Sequence, residues 1–241
     1  MEMKEIIIVT DGKSNIGGDP LLAAMEAQKH NIVVSAIGII GKNESDENPI
    51  EEIQGIAKKG KGEWELTYLD DLSVTLQMMT QKTVNKTIGY VVNRELKEII
   101  GSSLDEIKPK YRNKFIEYIE NLSDEIPLKC CILIDCSGSM KQKLERAKES
   151  ILDLMNSLRV RKGKSEIAVI AYPGVNGEMT NIINGFTDDV DLLKDKLKSI
   201  FASGTTPTAP AIYKAIELFT NRSNIVDEII EEKPFLSEGI V

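Results

Sequence analysis

Oxygen-bearing side chains follow one strongly apolar run of the sequence. The segment DCSGSM at 135–140 comes directly after the run 130–134, and apolar residues at helical spacing follow it. A short apolar run that ends in a polar turn predicts a strand buried on both faces of a parallel sheet. Asp135, Ser137 and Ser139 are therefore expected between a central strand and a helix, which is where ligands bind in open α/β sheets. Their hard oxygen atoms are ligands that Mg²⁺ prefers in its near-octahedral shell.

Two more segments complete a pattern known from one protein family. The sequence reads SGTTPT at 203–208 and TDG at 10–12. Together with Asp-x-Ser-x-Ser at 135–139, these segments resemble the three loops of the metal-ion-dependent adhesion site of von Willebrand factor A domains. The Asp-x-Ser-x-Ser segment alone is a weak signal, whereas the three loops together are a strong one.

The resemblance implies a bound metal ion and the residues that hold it. It implies Mg²⁺, with Mn²⁺ as the alternative ion, and the ligands Asp135, Ser137, Ser139, Thr206 and Asp11. Thr206 is preferred to Thr205 because it precedes Pro207, as in bacterial members of the family. Asp11 is expected to hold the site from the third loop, often through a water molecule. Ser139 also lies at a predicted helix start, where we expect it to cap the helix as well.

The order of the three loops is inverted in this chain. In the usual order of the family the Thr-Asp-Gly loop comes last, whereas here it lies almost at the N-terminus. Residues 5–84 alternate strands and helices and correspond to the second half of such a domain, and residues 128–220 correspond to the first half. The predicted fold class is α/β. It is a Rossmann-like, doubly wound and mostly parallel six-stranded sheet in circularly permuted order.

The remaining segments are a helical insert and a tail. Residues 85–127 show helical periodicity and no strand, which predicts a helical hairpin that bridges the two halves. Residues 221–241 are predicted to be a partly disordered tail. Two alternatives to closure within one chain remain: a domain-swapped homodimer, and a fragment of a tandem array. The insert is locally basic, which we interpret as a solvated face.

Composition narrows the class of protein. The chain has 241 residues and a formal net charge of -8. We therefore do not expect it to bind nucleic acids in general, because both molecules are negatively charged. No apolar run approaches a membrane span, and the N-terminus does not resemble a secretory signal. Cys130, Cys131 and Cys136 lie on or beside one strand and are predicted to be reduced, which favours the cytosol. A zinc site is disfavoured because their spacing is wrong and His30 is the only histidine.

The resemblance implies a binding function. In the family an acidic residue of the partner completes the shell of the metal ion, so we expect a protein partner with an exposed Asp or Glu. We predict no enzymatic activity, no nucleic-acid partner and no membrane partner. The alternatives are a phosphatase-like Mg²⁺ enzyme that uses Asp135 as its nucleophile and a scaffold without metal function. The permuted order also resembles a small set of proteins from endospore-forming bacteria, which suggests a link to sporulation.

Overall fold

A computed structural model describes residues 1–41 and 50–231 of the chain, without the side chains of residues 100 and 221–231. The strands are β1 (Met3–Thr10), β2 (Val33–Ile40), β3 (Lys61–Tyr68), β4 (Leu128–Asp135), β5 (Ser165–Tyr172) and β6 (Asn181–Thr187). The helices are α1 (Pro20–Lys29), α2 (Ile50–Lys59), α3 (Leu72–Ile100), α4 (Pro109–Glu125), α5 (Leu144–Leu158), α6 (Val190–Leu197) and α7 (Thr208–Glu231). None of the helices in these two ranges is long and apolar enough to cross a membrane.

The strands form one six-stranded sheet in the order β3-β2-β1-β4-β5-β6. All neighbouring strands are parallel except β5 and β6, which form an antiparallel pair. The central pair joins the two halves of the chain, since β1 runs beside β4 with Ile6 opposite Cys131. The predicted fold class is confirmed. The strand order is consistent with permutation, and the two halves pair within one chain.

Both faces of the sheet are covered, as the apolar strands require. Alternate residues of a strand point to opposite faces, so Ile7 and Val9 enter one core while Ile6 and Ile8 enter the other. The first core is covered mainly by α3 and α5, and the second by α1, α2 and α7. Strands that are buried on both faces explain why β1 and β4 are near-continuous apolar runs.

The insert does not begin where the sequence suggested. The prediction placed one helix before residue 85 and another after it, but α3 runs without interruption from Leu72 to Ile100. Its apolar stripe continues across the predicted boundary in Val84, Ile88, Val92 and Leu96, which are all buried. It ends at Gly101, whose φ of 76° suits a left-handed cap. The predicted hairpin is therefore formed by the second part of α3 together with α4.

The acidic residues before α1 and α3 play different parts. Asp19 caps α1, because its Oδ1 accepts a hydrogen bond of 2.8 Å from the Leu21 N–H. Asp70 also has a residue type that suits a cap, but it lies inside a short 3-10 turn, Leu69–Asp71, that precedes α3. At the other end of the chain, α7 extends to Glu231, into the range predicted as a tail. Residues 232–241, the rest of that tail, lie outside the described residues.

Glu5 is an acidic residue with no exposed surface, in the middle of the sheet. Its Oε1 accepts a hydrogen bond of 2.8 Å from Ser35 Oγ, and its Oε2 has no partner within the described residues. Burial raises the pKa of the Glu5 carboxyl to about 8, and the hydrogen bonds from Ser35 and Thr83 offset only part of that rise. The side chain is therefore neutral at neutral pH.

Candidate metal centre

The site lies at the carboxyl edge of the sheet, where the neighbouring strands β1 and β4 end. Because these strands are parallel and adjacent, their last residues meet at the same edge. Thr10 Oγ1 donates a hydrogen bond of 2.6 Å to Asp135 Oδ2, and the Ser137 N–H donates one of 2.8 Å to Asp135 Oδ1. The carboxylate of Asp135 is thus fully buried and is held by groups from both halves of the chain.

The predicted hydroxyl and carboxylate groups converge beside Asp135. Ser137 Oγ lies 3.1 Å from Ser139 Oγ, and Ser139 Oγ donates a hydrogen bond of 2.7 Å to Asp11 Oδ1. Ser139 and Asp11 are 128 residues apart in the sequence. The structure therefore brings Asp135, Ser137, Ser139 and Asp11 into one hydrogen-bonded cluster.

Ser139 does not cap a helix, although the sequence suggested that it would. It lies inside a 3-10 turn, Gly138–Gln142, and α5 begins only at Leu144. The hydroxyl of Ser139 instead joins Ser137 Oγ and Asp11 Oδ1. The intervening turn frees this side chain from a capping role and directs it into the site.

Thr206 reaches the same cluster of loops through its main chain. Its N–H donates to Asn15 Oδ1 (2.9 Å), and its carbonyl oxygen accepts from the Asn15 N–H (3.2 Å) and from Ser14 Oγ (3.2 Å). Its loop also contacts the segment after β4, since the Ser203 N–H donates to the Cys136 carbonyl oxygen at 2.7 Å. Thr206 is buried, whereas Thr205 is exposed. The choice of Thr206 as the ligand stays a prediction.

The electrostatics of the site are dominated by burial. Desolvation raises the pKa of the Asp135 carboxyl to about 6, and the negative charge of Asp11 adds to the rise. Hydrogen bonds from Thr10 and Ser137 offset part of it. Asp11 is paired with a cation, because Lys143 Nζ lies 2.7 Å from Asp11 Oδ2. Above about pH 6 the site therefore holds two carboxylates and one ammonium group.

The donor set fits a small hard cation. The Asp11 carboxylate and the two serine hydroxyls form a chain of hydrogen-bond contacts, and the Asp135 carboxylate accepts from the N–H of Ser137. All of these side chains offer oxygen. Over the described ranges, no cluster of three or more His, Cys, Asp or Glu side chains could hold a metal ion. The three cysteines are free and buried. A mixed carboxylate and hydroxyl set suits Mg²⁺ or Mn²⁺.

Three residues of the site were not singled out from the sequence. Thr10 belongs to the Thr-Asp-Gly motif, so its hydrogen bond to the buried carboxylate could have been anticipated from its place at the strand end. Asn15 lies in a polar, glycine-rich loop in which many residues are equally suited to a turn. For Lys143 the sequence holds no signal, since a lysine near the start of an amphipathic helix is ordinary.

Asn15 gives a prediction about how Thr206 is positioned. Asn15→Ala removes the acceptor of the Thr206 N–H but leaves every predicted metal ligand in place. We expect Mg²⁺ affinity to fall by about fivefold, in line with the ~1 kcal/mol typical of one hydrogen bond. Isothermal titration calorimetry with Mg²⁺ measures this. Asn181→Ala in β6 serves as the control, and an unchanged affinity in Asn15→Ala would show that Thr206 needs no such support.

Comparison with known proteins defines the class to which this fold and site belong. Profiles of the von Willebrand factor type A domain match residues 3–82 and residues 130–230. The chain belongs to the von Willebrand factor type A domain family, which confirms the predicted resemblance. The two matches lie on either side of the helical insert, one on each half of the sheet.

Similarity to particular proteins extends over almost the whole chain. The chain is 37% identical over 215 residues to the uncharacterized protein YabS of Bacillus subtilis (strain 168), a match that covers 88% of this chain and 87% of YabS. It is also similar to the crystal structure of an uncharacterized protein from Alicyclobacillus acidocaldarius. There the TM-score is 0.86 and the identity 38%, over 94% of this chain and 97% of the other.

A third similarity is much weaker. Proximal thread matrix protein 1 of the mussel byssus shares 15% identity at a TM-score of 0.28, over 84% of this chain and 44% of that protein. A TM-score this low supports no statement about the ligand or the function of this chain.

Proposed function

We propose that this chain is a protein-binding module whose binding depends on a divalent metal ion, Mg²⁺ in the first place and Mn²⁺ as the alternative. The residues proposed to hold the ion are Asp135, Ser137, Ser139, Thr206 and Asp11. Membership of the von Willebrand factor type A domain family supports an interaction module. The finer proposal is that an Asp or Glu of a protein partner completes the shell of the ion.

One observation carries the proposal. Oxygen atoms from opposite ends of the chain meet at hydrogen-bond distance, with Ser139 Oγ 2.7 Å from Asp11 Oδ1 and 3.1 Å from Ser137 Oγ. Polar turns without a binding role would not be expected to bring side-chain oxygen atoms together from both halves of the sheet. Two separate loops supply these side chains, and the loop of Thr206 joins them through main-chain hydrogen bonds.

The chemistry of these residues points to an acidic partner. The site has only two carboxylates, and the Lys143 ammonium group neutralises part of their charge. The hydroxyls of Ser137 and Ser139 are neutral ligands, so they add no negative charge. A bound divalent ion would supply an under-neutralised Lewis acid, which attracts a further carboxylate. Asp135 and the two serines serve to position such an ion and to exclude water from its buried side.

The enzyme alternative is less well supported by the residues. Phosphatases that use such an aspartate as nucleophile carry a second aspartate two positions later, where this chain has Ser137. The family is also typically made of adhesion and scaffold modules. Absence of Mg²⁺-dependent hydrolysis of a generic phosphate ester is the result that we expect.

The test combines a chelator with a variant of the site. The tagged wild-type protein is immobilised and incubated with candidate partner proteins from its source organism, in a buffer that contains Mg²⁺. The retained proteins are compared with those retained in a buffer that contains EDTA. Asp135→Ala is expected to lose the Mg²⁺-dependent partner, because it removes the anchoring carboxylate. Asp188→Ala, at an exposed position between β6 and α6, is expected to retain it.

Folding of each variant is checked by circular dichroism before the binding experiment. Retention of the partner that survives both EDTA and Asp135→Ala would contradict metal-dependent binding. Predicted cytosolic location, a role in sporulation and a monomeric state remain predictions from the sequence, and none of them is needed for this test.

A further inference from the structure

A lysine side chain lies inside the candidate metal centre. Lys143 follows the 3-10 turn Gly138–Gln142, and its Nζ lies 2.7 Å from Asp11 Oδ2. The Asp11 side chain is 1% exposed and that of Lys143 is 12% exposed. This pair is therefore largely desolvated, unlike the solvated ion pairs on the helix surfaces, where salt bridges contribute little. What needs an explanation is that this ion pair lies beside the proposed metal ligands.

The pair shares a carboxyl group with the proposed ligand set. Asp11 Oδ2 accepts from Lys143 while Asp11 Oδ1 accepts from Ser139 Oγ at 2.7 Å. The Asp11 carboxylate thus links the ammonium group of Lys143 to the Ser139 hydroxyl, which is proposed to hold the ion. With Asp135 and Asp11 ionised, Lys143 lowers the net charge of the three groups from two negative charges to one.

We infer that Lys143 is a resident cation that sets the metal affinity of the site. This inference rests on the proposed function and adds to it the residue that tunes that affinity. The ammonium group holds Asp11 while no metal ion is bound, and it repels a divalent ion that binds beside it. The site consequently binds Mg²⁺ or Mn²⁺ more weakly than the same oxygen ligands would without the lysine.

Coulomb's law indicates that the effect is large enough to measure. Unit charges a few ångströms apart still interact by several RT at the effective dielectric constant of a partly buried site, and a divalent ion doubles that interaction. Removal of the lysine also leaves Asp11 as a buried and unpaired charge, which is unfavourable in the metal-free protein. Both effects favour metal binding in a variant that lacks the ammonium group.

The experiment measures the affinity for the metal alone. Isothermal titration calorimetry with Mg²⁺ and with Mn²⁺ is carried out on the wild type, on Lys143→Met and on Lys143→Gln. Methionine keeps the aliphatic chain without the charge, whereas glutamine keeps a hydrogen-bond donor for Asp11. We expect both variants to bind each ion at least about tenfold more tightly than the wild type. Lys141→Met, which removes an exposed lysine of the preceding turn, is the matched control and is expected to change affinity little.

Thermal unfolding provides a second readout that does not depend on calorimetry. In EDTA, Lys143→Met is expected to unfold at a lower temperature than the wild type, and saturating Mn²⁺ is expected to raise its midpoint by more. If Lys143→Met does not fold, Lys143→Gln alone decides the question.

The outcomes separate this inference from the function on which it rests. Equal or weaker metal binding in both Lys143 variants, with binding by the wild type intact, overturns the inference and leaves the proposed function standing. An equal gain in Lys141→Met also overturns it, because the effect would then be one of overall charge. Absence of Mg²⁺ and Mn²⁺ binding in the wild type and in every variant overturns both.

Discussion

Replacement of Asp135 by asparagine is expected to stabilise the metal-free protein and to abolish its stabilisation by Mg²⁺. Asp135 is fully buried, and burial raises the pKa of its carboxyl from 3.8 to about 6. An ionised Asp135 is therefore unfavourable in the folded metal-free protein. Asparagine has the same shape without the charge, so it removes this cost but also removes the anchoring ligand.

The hydrogen bonds around residue 135 can adapt to the amide. The oxygen atom of asparagine can accept from the Ser137 N–H, as Asp135 Oδ1 does now at 2.8 Å. Its NH₂ group then faces Thr10 Oγ1, which can accept from it while donating to the Gly12 carbonyl oxygen, 3.1 Å away. The amide oxygen and one N–H of the amide therefore keep partners in this cluster.

The sign of the pH dependence follows from the direction of the pKa shift. Because the folded-state pKa of Asp135 is raised, the carboxyl contributes stability below its unfolded pKa, and that contribution is lost as the pH rises through about 6. At neutral pH the loss is on the order of 3 kcal/mol, from a shift of this size. Asp135→Asn does not titrate, so in EDTA it should exceed the wild type in free energy of unfolding above that pH.

Urea unfolding with and without Mg²⁺ measures both effects. In EDTA at neutral pH the variant is expected to be the more stable protein, and in saturating Mg²⁺ the wild type is expected to gain stability while the variant gains none. Asp188→Asn, at an exposed position, should follow the wild type in both conditions. A variant that still gained stability from Mg²⁺ would show that Asp135 does not anchor the ion.

The sequence predicts the sheet well because burial on both faces leaves a clear pattern. An apolar run such as 130–134 has no polar position that could face water, so its place in the centre of the sheet follows from composition alone. The edge strand β3 carries Trp64, Leu66 and Tyr68 at alternate positions, which predicted an outer strand. Of these side chains Trp64 and Tyr68 are exposed, whereas Thr67 is buried. The pairing of β1 with β4 followed from the complementarity of the two halves, because neither half covers both faces of its own strands.

The boundaries of the helical insert were less predictable for a physical reason. The predicted break at residue 85 rested on a change of character along the chain, but a helix ends where its apolar stripe or its backbone conformation ends. In α3 the buried stripe continues to Leu96, and the conformational stop comes only at Gly101. A change in surface charge by itself does not terminate a helix.

The candidate site shows the same division between local and long-range information. The motifs indicate which residues carry the oxygen ligands, because those residue types recur at fixed spacing within short loops. The partners of those residues depend on how loops pack across the edge of the sheet. The hydrogen bonds between Asn15 and Thr206 and the ion pair between Lys143 and Asp11 join distant segments, so local patterns carry no trace of them.

Glu5→Gln is expected to make the protein more resistant to alkaline pH. Glu5 has no exposed surface, and burial raises its pKa from 4.5 to about 8, the direction expected for a carboxyl in a medium of low dielectric constant. In the folded protein it holds its proton at neutral pH, whereas in the unfolded chain it is ionised. Glutamine resembles the protonated form, because its oxygen atom can accept from Ser35 Oγ as Glu5 Oε1 does.

The raised pKa fixes the pH window of the effect. Glu5 contributes its full stability below about pH 4.5, and the contribution declines as the pH rises toward about 8, above which it changes no further. The total loss is on the order of 5 kcal/mol for a shift of this size. Near pH 4.5, the wild type and Glu5→Gln should be similarly stable. Above about pH 8, the variant should have the larger free energy of unfolding by several kcal/mol.

Urea unfolding in EDTA across this range measures the difference between the two proteins. Burial raises the pKa of the Cys136 thiol to about 12, and the pH dependence that this adds to the stability is common to both proteins and cancels in the difference. The titration of Asp135 is common to both proteins and cancels in the difference. Glu117→Gln, at an exposed position of α4, should show the same pH dependence as the wild type. Parallel stability curves for Glu5→Gln and the wild type would mean that Glu5 is ionised in the folded protein, and its Oε2 would then need a cationic or hydrogen-bonding partner.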